Sequence, residues 1–228
     1  MSTGEEIART IIDACLAMNR TGLNQGTSGN VSCRYDYGML ITPSGIAYQQ
    51  MTESDIVYIS ADGIYGQGKI PSSEWRFHHA IYQNRPDLNA VVHNHALYST
   101  ILAIMHKGIP AIHYMIAVAG GNTIPCVPYA TYGTPELSDH VAAGFRGRNA
   151  IIMQHHGMTA AGATLAKALW LAEEVENLAK LYVNLLQTGM EIPLLPDDEI
   201  DVVLGKFKNY GERGESQQEN SQALPSSV

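Results

Sequence analysis

The stretch Ala90-Val-Val-His-Asn-His-Ala96 decides the fold, because it combines an apolar run with two histidines that stand two positions apart. An apolar run of this kind is typical of a buried strand. Side chains at positions i and i+2 of a strand point to the same face, so His93 and His95 can reach one point in space from a stiff backbone. A second apolar run, Ile151-Ile-Met-Gln-His-His-Gly157, also ends in histidines. The two runs together predict a metal site with three imidazole ligands.

Only one of the neighbouring residues His155 and His156 is expected to join this site, because adjacent side chains of a strand lie on opposite faces. Gly157 allows the chain to turn away at the sheet edge, which favours His156 as the ligand. We interpret His155 as a hydrogen-bonded core residue. Three imidazoles and an open position suit a catalytic zinc ion, although manganese, cobalt and iron accept a similar ligand set.

The composition narrows the classes of function. The 228 residues are enough for one large domain or two small ones, and 45% of them are hydrophobic, which allows a substantial core. The formal net charge is −8. An acidic chain without a basic run is poorly suited to bind nucleic acid or an anionic membrane surface. An anion is therefore expected to be held by backbone amides, hydroxyls and a metal.

The cysteines and the N-terminal residues indicate a cytoplasmic protein. Cys15, Cys33 and Cys126 are far apart and lack CxxC spacing, which is typical of free thiols in a reducing compartment. The first residues contain no basic segment followed by an apolar block, so no signal peptide is expected. No apolar run reaches the ~20 residues that span a bilayer.

Alternating helix and strand patterns predict one α/β domain. Helices are predicted over residues 5–20, 70–84, 96–105, 136–145, 164–186 and 197–209, and strands over 31–35, 39–42, 55–59, 88–93, 112–116 and 149–153. Several strands are joined by short turns, so we expect a three-layer α/β/α sandwich around a central mixed, largely antiparallel sheet. The domain is expected to span residues 1–211, and the polar segment 212–228 to be a disordered C-terminal tail.

Ile70-Pro-Ser-Ser-Glu74 is predicted to open a helix, with Ser72 or Ser73 as its cap and Glu74 in its first turn. A glutamate there interacts favourably with the helix dipole, and it is also the obvious carboxylate to accompany the metal. The hydroxyls and free amides of the helix start form a ready anion site. Two further turns, Thr27-Ser-Gly-Asn30 and Thr42-Pro-Ser-Gly45, could close around the same anion with backbone N–H donors. Together these segments fit a bound phosphate.

Five motifs resemble the class II aldolase/adducin family in order and spacing. The motifs are Gln25-Gly-Thr-Ser-Gly-Asn-Val-Ser32, Leu40-Ile-Thr-Pro-Ser-Gly45, Pro71-Ser-Ser-Glu74, His93-Asn-His95 and Gln154-His-His-Gly157. The resemblance covers residues 5–211. Stretches at 69–78, 111–117 and 207–211 are most similar to family members that act on L-fuculose 1-phosphate. The resemblance therefore implies a zinc-dependent aldolase that reversibly cleaves L-fuculose 1-phosphate to dihydroxyacetone phosphate and L-lactaldehyde.

The resemblance also implies roles for individual residues. His93, His95 and His156 would bind one zinc ion per subunit, and Glu74 would be a fourth ligand that moves off to act as acid and base. Phosphate binding is implied for Thr27, Gly29, Asn30, Ser44, Gly45, Ser72 and Ser73. Near the aldehyde, the resemblance places Tyr210, Tyr132 and, from the neighbouring subunit of a ring-shaped homotetramer, Tyr114. Tyr132 stands where the family has phenylalanine, so its hydroxyl leaves the aldehyde preference open.

The residue types fit this chemistry. Breaking a carbon–carbon bond beside a carbonyl leaves an enediolate, which a Lewis-acid metal stabilises. A carboxylate near the metal can move a proton to and from carbon, and a tyrosine hydroxyl can carry the proton of the cleaved alcohol.

Three alternatives stay open at this point. A pentulose-phosphate 4-epimerase acting on L-ribulose 5-phosphate would share the metal and phosphate motifs. Such enzymes carry an aspartate after the strand that follows the HxH helix, whereas Met115-Ile-Ala-Val-Ala-Gly-Gly121 contains no acid. A decarboxylase or dehydratase of the same family is the second alternative. The third is a non-catalytic adducin-type scaffold, which would be expected to lose the metal histidines that this chain keeps.

Overall fold

The computed structural model describes residues 3–208. Tyr210 and the predicted tail at 212–228 lie outside the described residues. The strands are β1 Asn30–Tyr35, β2 Gly38–Ile41, β3 Val57–Ser60, β4 Ala90–Asn94, β5 Cys126–Val127, β6 Ala150–Met153 and β7 Gly157–Gly162. The α-helices are α1 Gly4–Thr21, α2 Trp75–Asn84, α3 Leu97–Ile104, α4 Pro135–Gly144, α5 Leu165–Gln187 and α6 Asp197–Lys208.

The strands form one sheet in the order β3-β2-β1-β4-β7-β6-β5. Every neighbouring pair is antiparallel except β5 and β6, which are parallel. The prediction of a mixed, largely antiparallel sheet is therefore confirmed. The histidine strand β4 lies at the centre, with two strands or more on either side, so its side chains are shielded from water on both edges.

Helices cover both faces of the sheet. Along β4, Ala90 and Val92 pack into a core that includes α1, α3 and α5, whereas Val91 packs into a second core that includes α2 and α4. This alternation is the period of two that a strand imposes. The predicted α/β/α sandwich is thus confirmed, and none of the helices within residues 3–208 is long and apolar enough to cross a membrane.

Two local predictions are wrong. Residues 112–116 do not form a strand; a 3₁₀-helix covers Tyr114–Ala119, and the His113 ring accepts a hydrogen bond from the Met115 N–H at 3.2 Å. The helix expected from residue 70 begins only at Trp75. Residues 70–72 instead run beside the turn after β2, where the Ser72 N–H donates to the Thr42 carbonyl at 2.9 Å.

Strand β7 is absent from the predicted elements, although it pairs with β4 along its whole length. Every residue of β7 is buried. Gly157 starts the strand because nothing larger fits: an added Cβ would lie 2.4 Å from the Asn94 carbonyl oxygen and 2.8 Å from Cδ2 of His95. The small residue thus lets the second histidine run pack directly against the first.

We predict that G157A lowers the free energy of unfolding by about 1–3 kcal/mol, because the new methyl group overlaps fixed backbone. G66A is the matched control, since an added Cβ at Gly66 meets nothing within 4 Å. Urea unfolding followed by circular dichroism measures both variants. Equal stability of G157A and G66A would contradict the packing described here.

Candidate metal centre

Three histidine rings converge at the end of the central strands. His93 lies in β4, His95 follows it, and His156 lies in the turn between β6 and β7. Their ring centroids are 5.0 Å (His93–His95), 4.9 Å (His93–His156) and 5.1 Å (His95–His156) apart. One ring nitrogen from each lies within 4.8 Å of the others. The structure therefore brings the three predicted imidazoles around one point.

In the turn between β6 and β7, the side chains of His155 and His156 point in different directions. His155 has a left-handed backbone (φ 52°) and is exposed. Its Nε2 lies 2.7 Å from Nε2 of His106, a second histidine with positive φ. The interpretation of His155 as a core residue is wrong, because the hairpin turn points it outward while His156 turns inward.

Glu74 supplies the carboxylate of the centre. Its Oε2 lies 3.2 Å from Nε2 of His93 and its Oε1 lies 2.9 Å from Nε2 of His156. Glu74 occupies the N-cap position of α2, not its first turn, and neither Ser72 nor Ser73 caps the helix. The Ser72 hydroxyl instead accepts a hydrogen bond from the Glu74 N–H at 3.3 Å. Glu74 therefore sits where the chain leaves the sheet edge and enters the helix.

Hydrogen bonds fix the orientation of His93. Its Nδ1 lies 2.9 Å from the Met158 carbonyl oxygen and 3.2 Å from Oγ1 of Thr159. A carbonyl only accepts, so Nδ1 carries a proton and Nε2 is the ring nitrogen that faces the centre. Such a partner behind a ligating imidazole fixes its tautomer and raises its basicity.

The charges at the centre suit a cation. Burial by itself would raise the pKa of Glu74, but positive charge at the neighbouring His93 and His156 outweighs it, so the pKa lies well below its usual range. Burial, with the charges of His93 and His156, lowers the pKa of His95 to about 3, although Glu74 opposes the shift. The site thus combines an ionised carboxylate with a neutral imidazole, and a metal requires its ligands in these forms.

One buried atom is left without a donor. Glu74 Oε1 is buried and accepts no hydrogen bond of good geometry from the described residues, although His156 is near. A buried carboxylate oxygen without a partner is costly. A divalent ion held by three imidazole nitrogens would satisfy it, so the residues present fit a bound metal.

A cavity of about 300 Å³ opens onto this centre. Its lining includes Ser28, Ser73, Glu74, His95, Tyr129, Ala130, Tyr132, His155 and His156. Ser73 and Tyr132 are thus placed beside the histidines, as the sequence predicts. Ser28, Tyr129 and His155 were not predicted as site residues. The signal that could have identified them is that each lies within three positions of a predicted site residue in the sequence.

The three turns predicted to hold a phosphate approach this region. The Ser44 N–H donates to the Ile70 carbonyl at 2.9 Å, so the turn that contains Gly45 runs beside residues 70–73. Gly29 packs so closely that an added Cβ would lie 2.6 Å from the His93 carbonyl oxygen. Thr27, Ser44 and Ser73 are exposed, whereas Ser72 is buried. Their assignment to phosphate remains a prediction.

Asn30 is engaged differently from what its place in a turn suggests. It is buried, and its Nδ2 donates to Glu74 Oε2 at 2.9 Å. Behind it, Nε2 of the buried His78 lies 2.5 Å from Asn30 Oδ1. His78 was not predicted to take part, although its position four residues after Glu74 on one helix face is a signal that could have identified it.

Tyr114 does not line the cavity. It is half-exposed and lines a separate groove of about 950 Å³ with Trp170 and Phe207, among other residues. The role predicted for Tyr114 at the aldehyde therefore stays a prediction.

The fold and this site define an α/β protein with a group of side chains that could hold a metal ion, of the kind that Lewis-acid enzymes use. The family model for the class II aldolase and adducin N-terminal domain matches residues 9–183. The chain belongs to this family, whose class II aldolases are metal-dependent lyases.

Relatives and solved structures agree with this assignment. An L-fuculose phosphate aldolase of Escherichia coli O6:H1 is 62% identical over 208 residues, which cover 91% of this chain and 97% of the relative. A 5-methylthioribulose-1-phosphate/5-deoxyribulose-1-phosphate aldolase of Escherichia coli O45:K1 is 55% identical over 206 residues, with 90% and 97% covered. A solved L-fuculose 1-phosphate aldolase is 40% identical, with a TM-score of 0.86 and 91% and 98% of the two chains covered.

We predict that the buried His78 makes the protein sensitive to acid. Burial and the charge of His93 lower its pKa from 6.5 to about 3, while Glu74 opposes the shift. The unfolded chain therefore binds a proton between pH 6.5 and 3 that the folded chain does not. Stability falls as the pH is lowered through this window, by up to about 1.4 kcal/mol per pH unit from this one group.

Urea unfolding of metal-free protein at several pH values measures this slope. H78Q should show a shallower fall than the wild type, whereas H79Q, a change at the partly exposed neighbour, should keep the wild-type slope. Identical slopes in wild type and H78Q would show that His78 is charged in the folded protein.

Proposed function

We propose that this protein is a zinc-dependent aldolase that reversibly cleaves L-fuculose 1-phosphate to dihydroxyacetone phosphate and L-lactaldehyde. The observation that carries the proposal is the convergence of a buried carboxylate and three imidazoles, with Glu74, His95 and His156 of this group lining one cavity. The relative with 62% identity, itself named an L-fuculose phosphate aldolase, supports the choice of substrate.

In this proposal His93, His95 and His156 hold the metal, with Glu74 as the fourth ligand. Three nitrogens and one oxygen are a common ligand set for zinc. When bound, the metal supplies a Lewis acid that stabilises the negative charge left on the ketone fragment. Glu74 lies beside both His93 and His156, and it is proposed to move off the metal and serve the carbon from which the bond breaks.

The proton balance needs two groups of the protein. The carbon–carbon bond breaks as the proton of the alcohol on the aldehyde side is removed, for which Tyr114 or Tyr210 is proposed. The ketone fragment then gains a proton at carbon from Glu74, which has to take up a proton from solvent before this step, since a positioned carboxyl group can act as general acid and base. The tyrosine gives its extra proton back to solvent, so both groups return to their starting states. In the reverse direction Glu74 removes that proton. The net reaction neither gains nor loses atoms.

The phosphate is proposed to bind where the three turns approach the cavity. Thr27, Ser44 and Ser73 offer exposed hydroxyls, and the turns offer backbone donors, including those of Gly29 and Gly45. Backbone nests and helix starts hold anions without a cationic side chain. Asn30 and Ser72 belong to the same proposed phosphate site, and both are also hydrogen-bonded to Glu74.

The active enzyme is proposed to be a cytoplasmic homotetramer. Within one chain, Tyr114 lines a groove that shares no lining residue with the metal cavity, so the role proposed for Tyr114 is assigned to the tyrosine of a neighbouring copy. Cys15 and Cys33 are buried as free thiols, in line with a reducing compartment.

A second substrate class is supported by the relative at 55% identity, which is named for 5-methylthioribulose 1-phosphate and 5-deoxyribulose 1-phosphate. These sugars share the ketose 1-phosphate end with L-fuculose 1-phosphate and differ at the aldehyde end. Tyr132 is 66% exposed on the cavity wall and offers a hydroxyl there. Discrimination is therefore expected to depend on this exposed wall.

We expect purified protein to release dihydroxyacetone phosphate from L-fuculose 1-phosphate, to lose this activity with a chelator and to regain it with zinc. E74Q should lower kcat by about 10²–10⁴-fold, because it removes a general acid and base. H140Q is the control, since His140 lies on α4 outside the cavity lining. Full activity in protein shown to contain no metal would exclude the proposal.

A substrate panel tests the aldehyde end. Y132F should change the ratio of kcat/KM between L-fuculose 1-phosphate and 5-deoxyribulose 1-phosphate by about 10-fold or more, if the hydroxyl contacts the substrate. L-ribulose 5-phosphate belongs in the same panel. Conversion of that compound to its epimer, without release of dihydroxyacetone phosphate from any substrate, would favour the epimerase alternative.

A further inference from the structure

A buried line of hydrogen bonds runs from Glu74 away from the cavity. Asn30 Nδ2 lies 2.9 Å from Glu74 Oε2, and Asn30 Oδ1 lies 2.5 Å from His78 Nε2. His78 Nδ1 lies 2.7 Å from Ser32 Oγ, which lies 2.9 Å from the Tyr82 hydroxyl. All five side chains are buried, with at most 7% of any residue exposed.

The spacing of residues along β1 and α2 explains this line of hydrogen bonds. Asn30 and Ser32 stand two apart on β1, so they point to one face of the sheet. Glu74, His78 and Tyr82 stand four apart on the chain that enters and forms α2, so they share one helix face. When α2 packs on that face of β1, side chains from the helix alternate with side chains from the strand. The line therefore forms within regular secondary structure, without an insertion or a bulge.

The chemistry at Glu74 fixes the direction of every bond in the line. An ionised carboxylate only accepts, so the NH₂ end of the Asn30 amide faces Glu74 and its oxygen faces His78. That oxygen also only accepts, so His78 carries a proton on Nε2. The ring is neutral, in agreement with the lowering of the His78 pKa by burial, so its Nδ1 is an acceptor. Ser32 must then donate to His78 and accept from Tyr82.

We propose that His78 is a positioning residue for Glu74, which acts by donating from Nε2 to the Asn30 amide and so holding the NH₂ end of that amide on the carboxylate. This inference rests on the proposed function, because it assigns a role in orienting the group proposed to transfer the proton. Without a donor at His78, the Asn30 amide could rotate and turn its oxygen toward the carboxylate. Two acceptors would then face each other in a buried site, and Glu74 would be displaced.

Kinetics of variants at His78 provide the first test. H78F removes both ring nitrogens at similar size, and it should lower kcat by about 10- to 100-fold, as loss of a supporting hydrogen bond behind a site does. KM should change by less than kcat. H78Q places an amide N–H near the position of Nε2, and it should recover most of the kcat lost in H78F. H79Q is the control for an imidazole lost from the same helix.

A purely structural role for His78 predicts another result. In that case H78F would lower the melting temperature but leave kcat, counted per folded protein, at the wild-type value. H78Q would then restore stability and nothing else. Such an outcome would overturn the proposal. If H78F does not fold, S32A and Y82F test the same line, with a loss of kcat that should decrease from S32A to Y82F as the change moves away from Glu74.

Neutron diffraction from deuterium-exchanged crystals tests the line without any assay of activity. A single deuteron on Nε2 of His78, with none on Nδ1, is expected. A deuteron on Nδ1, or on both nitrogens, would overturn the proposal even if the aldolase activity is found. Conversely, the predicted deuteron in a protein without aldolase activity would refute the proposed function and leave the arrangement around Glu74 intact.

Discussion

An ionised carboxylate kept away from water is the constraint on which the rest of this structure depends. Glu74 is buried, and a buried charge without partners is strongly destabilising. Its neighbours come from separate parts of the chain: Asn30 from β1, His93 from β4 and His156 from the turn between β6 and β7. The sheet order β1-β4-β7-β6 is what brings these segments to one end of the sheet. The buried charge of Glu74 therefore depends on this strand order, because the strand order supplies its partners.

The features that could be predicted from the sequence are those that depend on local periodicity. His93 and His95 obey the two-residue repeat of a strand, which needs no knowledge of distant segments. Strand β7 escapes such reasoning because Gly157-Met-Thr-Ala-Ala-Gly162 contains no aromatic residue and only one β-branched residue, Thr159, of the types that mark strands. Its small residues are required by close packing. At Gly162, for example, an added Cβ would lie 2.9 Å from the Ala168 backbone nitrogen at the start of α5.

The relations between side chains were harder to predict than the elements that carry them. Asn30 ends a segment whose composition predicts an anion-binding turn, yet it begins β1 and its amide is bonded to Glu74 and to His78. That arrangement depends on how β1 and α2 lie against each other, which no pattern within either segment records. The exposure of His155 likewise follows from one left-handed residue in a hairpin turn. The i, i+4 spacing of Glu74 and His78 was the one local clue to the buried line.

The site has a buried interior and an exposed rim, and the two parts differ in how freely their residues can change. Asn30, His78 and Glu74 are tied to one another by buried hydrogen bonds, so a change at any of them leaves a polar group without its partner. Tyr129 and Tyr132 are 54% and 66% exposed, so they can be replaced without disturbing that network. The two named relatives differ in the sugar and share the ketose 1-phosphate. An exposed rim can distinguish the part of the substrate that differs, while the interior governs the bond that is broken in all of them.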